Sequence, residues 1–134
     1  MGADTIRIIG NIKFPSGTEA RENIVVDGAL VIGDRCHFHG SIKASGDIDV
    51  GSNVLIEGNL VTEGNMTIGK NTKIDGSVNA EGSVRLGENA SIGLALISGG
   101  DVELHQNARV FKNILSQGHI HVLWTPEEEI QQTV

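Results

Sequence analysis

Apolar residues recur along this chain in columns spaced by 18 positions. Seven glycines mark the period: Gly10, Gly28, Gly46, Gly64, Gly82, Gly100 and Gly118. Two residues after each stand Ile12, Leu30, Ile48, Met66, Val84, Val102 and Ile120, and four after stand Phe14, Ile32, Val50, Ile68, Leu86, Leu104 and Val122. Both columns are apolar throughout, with one residue between them. That alternation is a short strand with one buried face. A second pair of columns follows at offsets of eight and ten, carrying Cys36, Val54, Thr72 and Ala90 beside Phe38, Ile56, Ile74 and Ile92. A third pair, at fourteen and sixteen, carries Ile24, Ile42, Leu60, Val78 and Leu96 beside Val26, Ala44, Thr62, Ala80 and Ser98.

Each unit therefore predicts three short strands of equal spacing, which describe the sides of a triangular coil. Coils stacked about 4.8 Å apart form three parallel sheets round one narrow core. The expected fold is all-β: a single-domain parallel β-helix, or solenoid, with 18-residue coils. Five full coils between two partial ones give a rod about 30 Å long. The identical offset puts like on like, which suits β-branched side chains, and the narrow interior explains why aromatics are only 3% of the chain. In the first coil, Pro15 and Gly17 interrupt the pattern and Glu19, Arg21 and Glu22 charge its second side. Past Leu123 the period gives out at Pro126 and the run Glu127, Glu128, Glu129. The division expected is a short N-terminal tail over 1–7, the β-helix over 8–123, and a C-terminal tail or cap over 124–134.

The corners are also readable. The repeat glycine marks one. A second carries Gly33, Gly51, Gly69 and Gly87, with Asn53, Asn71, Asn89 and Asn107 close behind. Gly and Asn both tolerate left-handed backbone angles, so the Asn column is read as a ladder of turns rather than of ligands. A third corner carries Gly40, Gly58 and Gly76 and then gives way to Leu94 and Lys112, so local distortion of the later coils is expected there.

Composition narrows the function. A formal net charge of −7 leaves no basic surplus to neutralise phosphates, against a nucleic-acid partner. One cysteine, Cys36, forms no internal disulfide; it reads as a small core residue in a reducing compartment. No run of 18 apolar residues is present to span a membrane as a helix. The start, Met1 to Ile6, has neither the basic nor the apolar region of a signal peptide, and Ile6 stands where a myristoylation motif needs Ser or Thr. A cytoplasmic protein without cofactor is expected, since no glycine-rich phosphate loop with a lysine occurs either. Two histidine pairs invite a metal. His37 and His39 flank Phe38, and His119 and His121 flank Ile120, so each pair projects two rings from one outer face. No Asp, Glu or Cys obviously completes either set, and the pairs are read as surface histidines with no metal.

The unit Gly46-Asp47-Ile48-Asp49-Val50-Gly51-Ser52-Asn53, with its continuation to Leu60, is followed by Gly64-Asn65-Met66-Thr67-Ile68-Gly69-Lys70-Asn71, which runs on to Val78. These repeats resemble the bactofilins, polymer-forming bacterial cytoskeletal proteins, over about residues 8–123. The resemblance implies a right-handed triangular β-helix. It also implies a structural scaffold, not an enzyme, that stacks head to head and tail to tail into nonpolar, nucleotide-independent filaments. Its partner is then chiefly itself, with peripheral membrane or cell-wall-machinery partners besides. Many relatives carry an N-terminal membrane-targeting stretch; Met1 to Thr5 has no basic amphipathic character of that kind.

On this reading the ends of the rod carry the function. Ile8, Ile9, Ile12 and Phe14 line one end, and Ile120, Val122, Leu123 and Trp124 the other. They are polymer contacts; alternatively, the tail folds back and Trp124 plugs the core. An outward row, Val25, Lys43, Val61, Asn79, Ile97 and Leu115, is more apolar than a solvated face needs. With Leu94 and Phe111, its members Ile97 and Leu115 offer a lateral contact surface, unless the C-terminal tail packs over it. The alternative function is a left-handed, hexapeptide-type β-helix enzyme, an acyltransferase or a trimeric zinc carbonic anhydrase. The pairs Ile32-Gly33, Val50-Gly51, Ile68-Gly69 and Leu86-Gly87 resemble its motif, but occur once per 18 residues rather than once per six. Ice-binding β-helices need ranked Thr-x-Thr faces, and outward Thr here is scattered.

Overall fold

A computed structural model describes residues 4–123. Strand β1 (Thr5–Ile9) opens the chain, and successive coils then contribute three strands each. The first triplet is β2 (Ile12–Phe14), β3 (Glu19–Ala20) and β4 (Asn23–Asp27); the second is β5 (Leu30–Ile32), β6 (His37–Phe38) and β7 (Ile42–Ala44). Next come β8 (Ile48–Val50), β9 (Leu55–Ile56) and β10 (Leu60–Thr62), then β11 (Met66–Ile68), β12 (Lys73–Ile74) and β13 (Val78–Ala80). The last triplets are β14 (Val84–Leu86), β15 (Ser91–Ile92) and β16 (Leu96–Ser98), then β17 (Val102–Leu104), β18 (Arg109–Val110) and β19 (Ile114–Ser116), before β20 (Ile120–Val122). No helix occurs among the described residues.

These strands form three parallel sheets of seven, seven and six members. One runs β1-β4-β7-β10-β13-β16-β19, one β2-β5-β8-β11-β14-β17-β20, and the third β3-β6-β9-β12-β15-β18. The register is 18 residues throughout: Ile24 lies on Ile42, Ile48 on Met66, Ile74 on Ile92. The result is a β-solenoid of about seven turns with three sheets around one core, as the apolar columns predict.

Every fully buried side chain falls on one of the six predicted columns, from Ile24 and Val26 through Leu30, Ile56, Ile74 and Leu86 to Val102 and Leu104. Burial decays at the ends because the outermost coils have a neighbour on one side only. Ile12 and Phe14 are half-buried, while Ile120 is 47% and Val122 50% exposed. Phe14 still packs edge-on against Phe38 of the next coil, with ring centroids 5.4 Å apart, a favoured aromatic geometry.

The corners depart from expectation in an instructive way. The Asn column does turn left-handed: Asn53, Asn71, Asn89 and Asn107 have φ of 60°, 57°, 61° and 63°, and Arg35 joins them at 56°. The glycines mostly do not, since among the described residues only Gly10, Gly17 and Gly28 have positive φ. Glycine is needed for another reason, the close approach of the coil below. A Cβ on Gly69 would sit 2.4 Å from the Gly51 carbonyl oxygen. Nor does the loss of glycine at Leu94 and Lys112 distort the stack. The backbone N–H groups of Gly76, Leu94 and Lys112 donate in succession to the carbonyls of Gly58, Gly76 and Leu94 at 3.1–3.2 Å. Gly93 takes over the crowded position one residue earlier, where a Cβ would meet the Asp75 carbonyl oxygen at 2.4 Å.

Polar side chains complete the corners. The Asp47 Oδ1 accepts from the Asn65 N–H, the Asn65 Oδ1 from Ser83, the Ser83 Oγ from Asp101 and the Asp101 Oδ1 from His119, each across 18 residues. Asn23, Ser41, Asn59 and Ser77 run a second such ladder at another corner. Inside, the Thr62 hydroxyl donates to the Gly46 carbonyl, and Ser98 and Ser116 repeat that bond to Gly82 and Gly100. The small polar residues that taper the third side thus satisfy turn carbonyls that the core would otherwise strand.

Candidate functional site: the ends of the rod

A parallel ladder uses both edges of each strand, so an outermost strand keeps one edge unpaired. Here all three sheets stop together. The sheet orders terminate in β1, β2 and β3 at one end and in β18, β19 and β20 at the other, and no further strand pairs with them among the described residues. Among the described residues, each end therefore presents three unpaired edges around the outermost layer of core columns.

At the N-terminal end that layer contains Ile6, Ile8, Ile12, Phe14 and Ala20. Ile8, Ile12 and Phe14, all named from the sequence, are partly buried against the core cluster. Ile9 is 83% exposed, but it pairs with Asp27 and lies off the inward columns, at the rim. Ile6 was missed; it is 41% exposed and stacks on Ile24, and its place 18 residues before that core residue is the signal for it. β1 begins at Thr5 and pairs over all five residues with β4, with an Arg7–Asp27 ion pair of 2.8 Å on its outer face. At the C-terminal end the layer contains Val110, Ile114, Ile120 and Val122. Ile120 and Val122 stack on Val102 and Leu104 and are about half exposed, as is Leu123. Trp124 lies outside the described residues.

The residues expected to form a lateral surface are all at the surface: Leu94, Ile97, Phe111 and Leu115 are 42%, 37%, 63% and 57% exposed. Ile97 and Leu115 are register partners on the outer face of one sheet. Cys36 is a buried free thiol in the core, as expected.

The histidine pairs differ from each other. His119 and His121 stand apart, ring centroids 6.0 Å from one another. His37 and His39 stack at 4.0 Å and, contrary to the sequence reading, do meet carboxylates. Glu19 comes from the coil before and Glu57 from the coil after. The His39 Nε2 lies 2.8 Å from Glu19 Oε2, while Glu57 Oε2 lies 3.1 Å from His39 Nδ1 and 2.5 Å from His37 Nε2. The hydrogen bond from His39 holds the Glu19 carboxyl below its ordinary range, against a smaller opposing effect of desolvation. His37 does the same for Glu57. Glu19 stands 20 residues from His39, and Glu57 stands 20 from His37 and 18 from His39. An offset of one period, or of one period plus two in either direction, is the sequence signal that finds them.

A rod of regularly stacked coils is the architecture of a repeat, or solenoid, protein. That class of protein has a specific match: a family model described as Bactofilin, polymer-forming cytoskeletal, matches residues 30–122. The chain belongs to the bactofilin family, a structural family of the cytoskeleton. No match is found among curated proteins or among solved structures. No helix of the described residues is long and apolar enough to cross a membrane.

Proposed function

We propose that this protein is a cytoskeletal scaffold subunit that stacks end to end into filaments without nucleotide. One observation supports this above the others. All three sheets stop at the same level at each end of the described rod, leaving unpaired edges around half-exposed apolar columns. A second copy placed on such an end can pair with all three edges at once, antiparallel where like ends meet, and covers the apolar layer. Water satisfies the edges of the free rod, so the gain on stacking comes mainly from the apolar layer, and the ladders fix its orientation.

The contacts proposed are Ile6, Ile8, Ile12 and Phe14 at one end and Ile120, Val122 and Leu123 at the other, with Ile9 at the rim. Like ends meet, head to head and tail to tail, as the family resemblance implies. Each junction is then two-fold symmetric, so the filament has no overall polarity. Leu94, Ile97, Phe111 and Leu115 are proposed to bundle filaments side by side. The experiment is electron microscopy of the purified protein in negative stain, in buffer containing EDTA and no nucleotide. Filaments of uniform width are expected. Monomers or discrete small oligomers at high protein concentration would refute the reading.

A further inference from the structure

We propose that Glu19, His37 and His39 form a site for a divalent transition-metal cation of the zinc class, which ties together two successive coils near the N-terminal end, with Glu57 of the next coil beside both rings. The proposal does not rest on filament formation. It rests on how the parallel ladder gathers these side chains. Strand β3 pairs with β6, setting Glu19 beside His37, and β6 pairs with β9, which leads directly into Glu57. His37 and His39, one residue apart on either side of the buried Phe38, project from the same outer face. Glu19, His37 and His39 each offer a ligand atom, and these atoms lie within 4.8 Å of one another. Glu57 Oε2 touches both rings.

Donor atoms of a tetrahedral zinc ion, bound at about 2.0–2.1 Å, are about 3.3 Å apart. The ligand atoms of Glu19, His37 and His39, within 4.8 Å of one another, must draw closer by side-chain rotation to reach that spacing. All four are accessible, with 27–55% of each side chain exposed, so an ion can enter from solvent. Two imidazoles with carboxylates suit zinc, nickel or copper rather than magnesium or calcium, which prefer all-oxygen sets. The two carboxylates also balance the charge of the ion. The first coil has a neighbour on one side only, and its second side is the charged segment around Glu19. A cation bridging Glu19 to His37 and His39 of the next coil clamps that end of the stack.

The test is titration of the full chain, stripped with EDTA and dialysed, with zinc chloride in a calorimeter, alongside its thermal unfolding with zinc or magnesium. One zinc ion per chain and a raised Tm with zinc, not with magnesium, are expected, with the rise reversed by EDTA. The double variant H37Q/H39Q is expected to weaken binding by about tenfold or more and to lose the Tm rise. The surface variants Glu19→Gln and Glu57→Gln weaken binding too, and serve if the double variant folds poorly. The control H119Q/H121Q binds as the parent does. Absence of saturable zinc binding, an equal response to magnesium, or unchanged binding in both the double variant and the carboxylate variants would overturn the proposal.

Discussion

At Asn71 the backbone turns with φ of 57°, a conformation that costs most L-residues roughly 1–2 kcal/mol. Asparagine tolerates it, and glycine would do so without strain, but a β-branched residue would not. Asn71→Gly is therefore expected to leave thermal stability nearly unchanged. Asn71→Val should lower it by about 1–2 kcal/mol, read from urea unfolding followed by circular dichroism. Equal effects of the two substitutions would mean that φ is not the reason for the Asn column. That column was legible because its cause is local to each residue. The cause of the glycines was not. The 2.4 Å between a Cβ on Gly69 and the Gly51 carbonyl exists only once one coil lies on another. The Asp47-to-Asn65 ladder is hidden in the same way, since each side chain serves a residue 18 positions further on.

At the scale of the strand, the six columns gave the inward face of every coil, because alternation and period are both carried by residue type. Ile74 in β12 is fully buried between Ile56 and Ile92. Ile74→Ala is expected to cost about 2–5 kcal/mol, since neighbours above and below hold the cavity open. Val110→Ala, in the half-buried strand β18 at the end of its sheet, should cost clearly less, and paired denaturant titrations measure the difference. Similar costs would argue against a core whose tightness depends on a coil having two neighbours. The elements go beyond the sequence reading in two places. Strand β1 reaches back to Thr5 because Ile6 and Ile8 continue the third side one period before Ile24 and Val26. The carboxylates of the histidine cluster come from coils on both sides, 18 or 20 residues away, so a search near His37 and His39 in the sequence passes over them.

At the scale of the whole molecule, the proposed function follows from incompleteness. The middle of the rod is satisfied: its strands are paired on both edges and its core columns are closed. Among the described residues the ends are not, and there Phe14 and Val122 stand in the outermost layer, the one partly buried and the other 50% exposed. The solenoid was readable from the 18-residue period, and the family from the resemblance of its repeat segments; the N-terminal end lies further out than expected, since β1 begins at Thr5. Which residues make the junction is less legible, because end residues obey the core pattern without being core.

The most direct test is filament length for Phe14→Asp and Val122→Asp, measured by electron microscopy and sedimentation, with the sheet signal in circular dichroism recorded on the same samples. A charge placed at an end should abolish or shorten filaments several-fold, because stacking would bury an unpaired carboxylate. The sheet signal should remain that of the parent, because neither residue is fully buried in the single rod. Filaments of parental length from both variants, with the sheet intact, would contradict assembly through the ends.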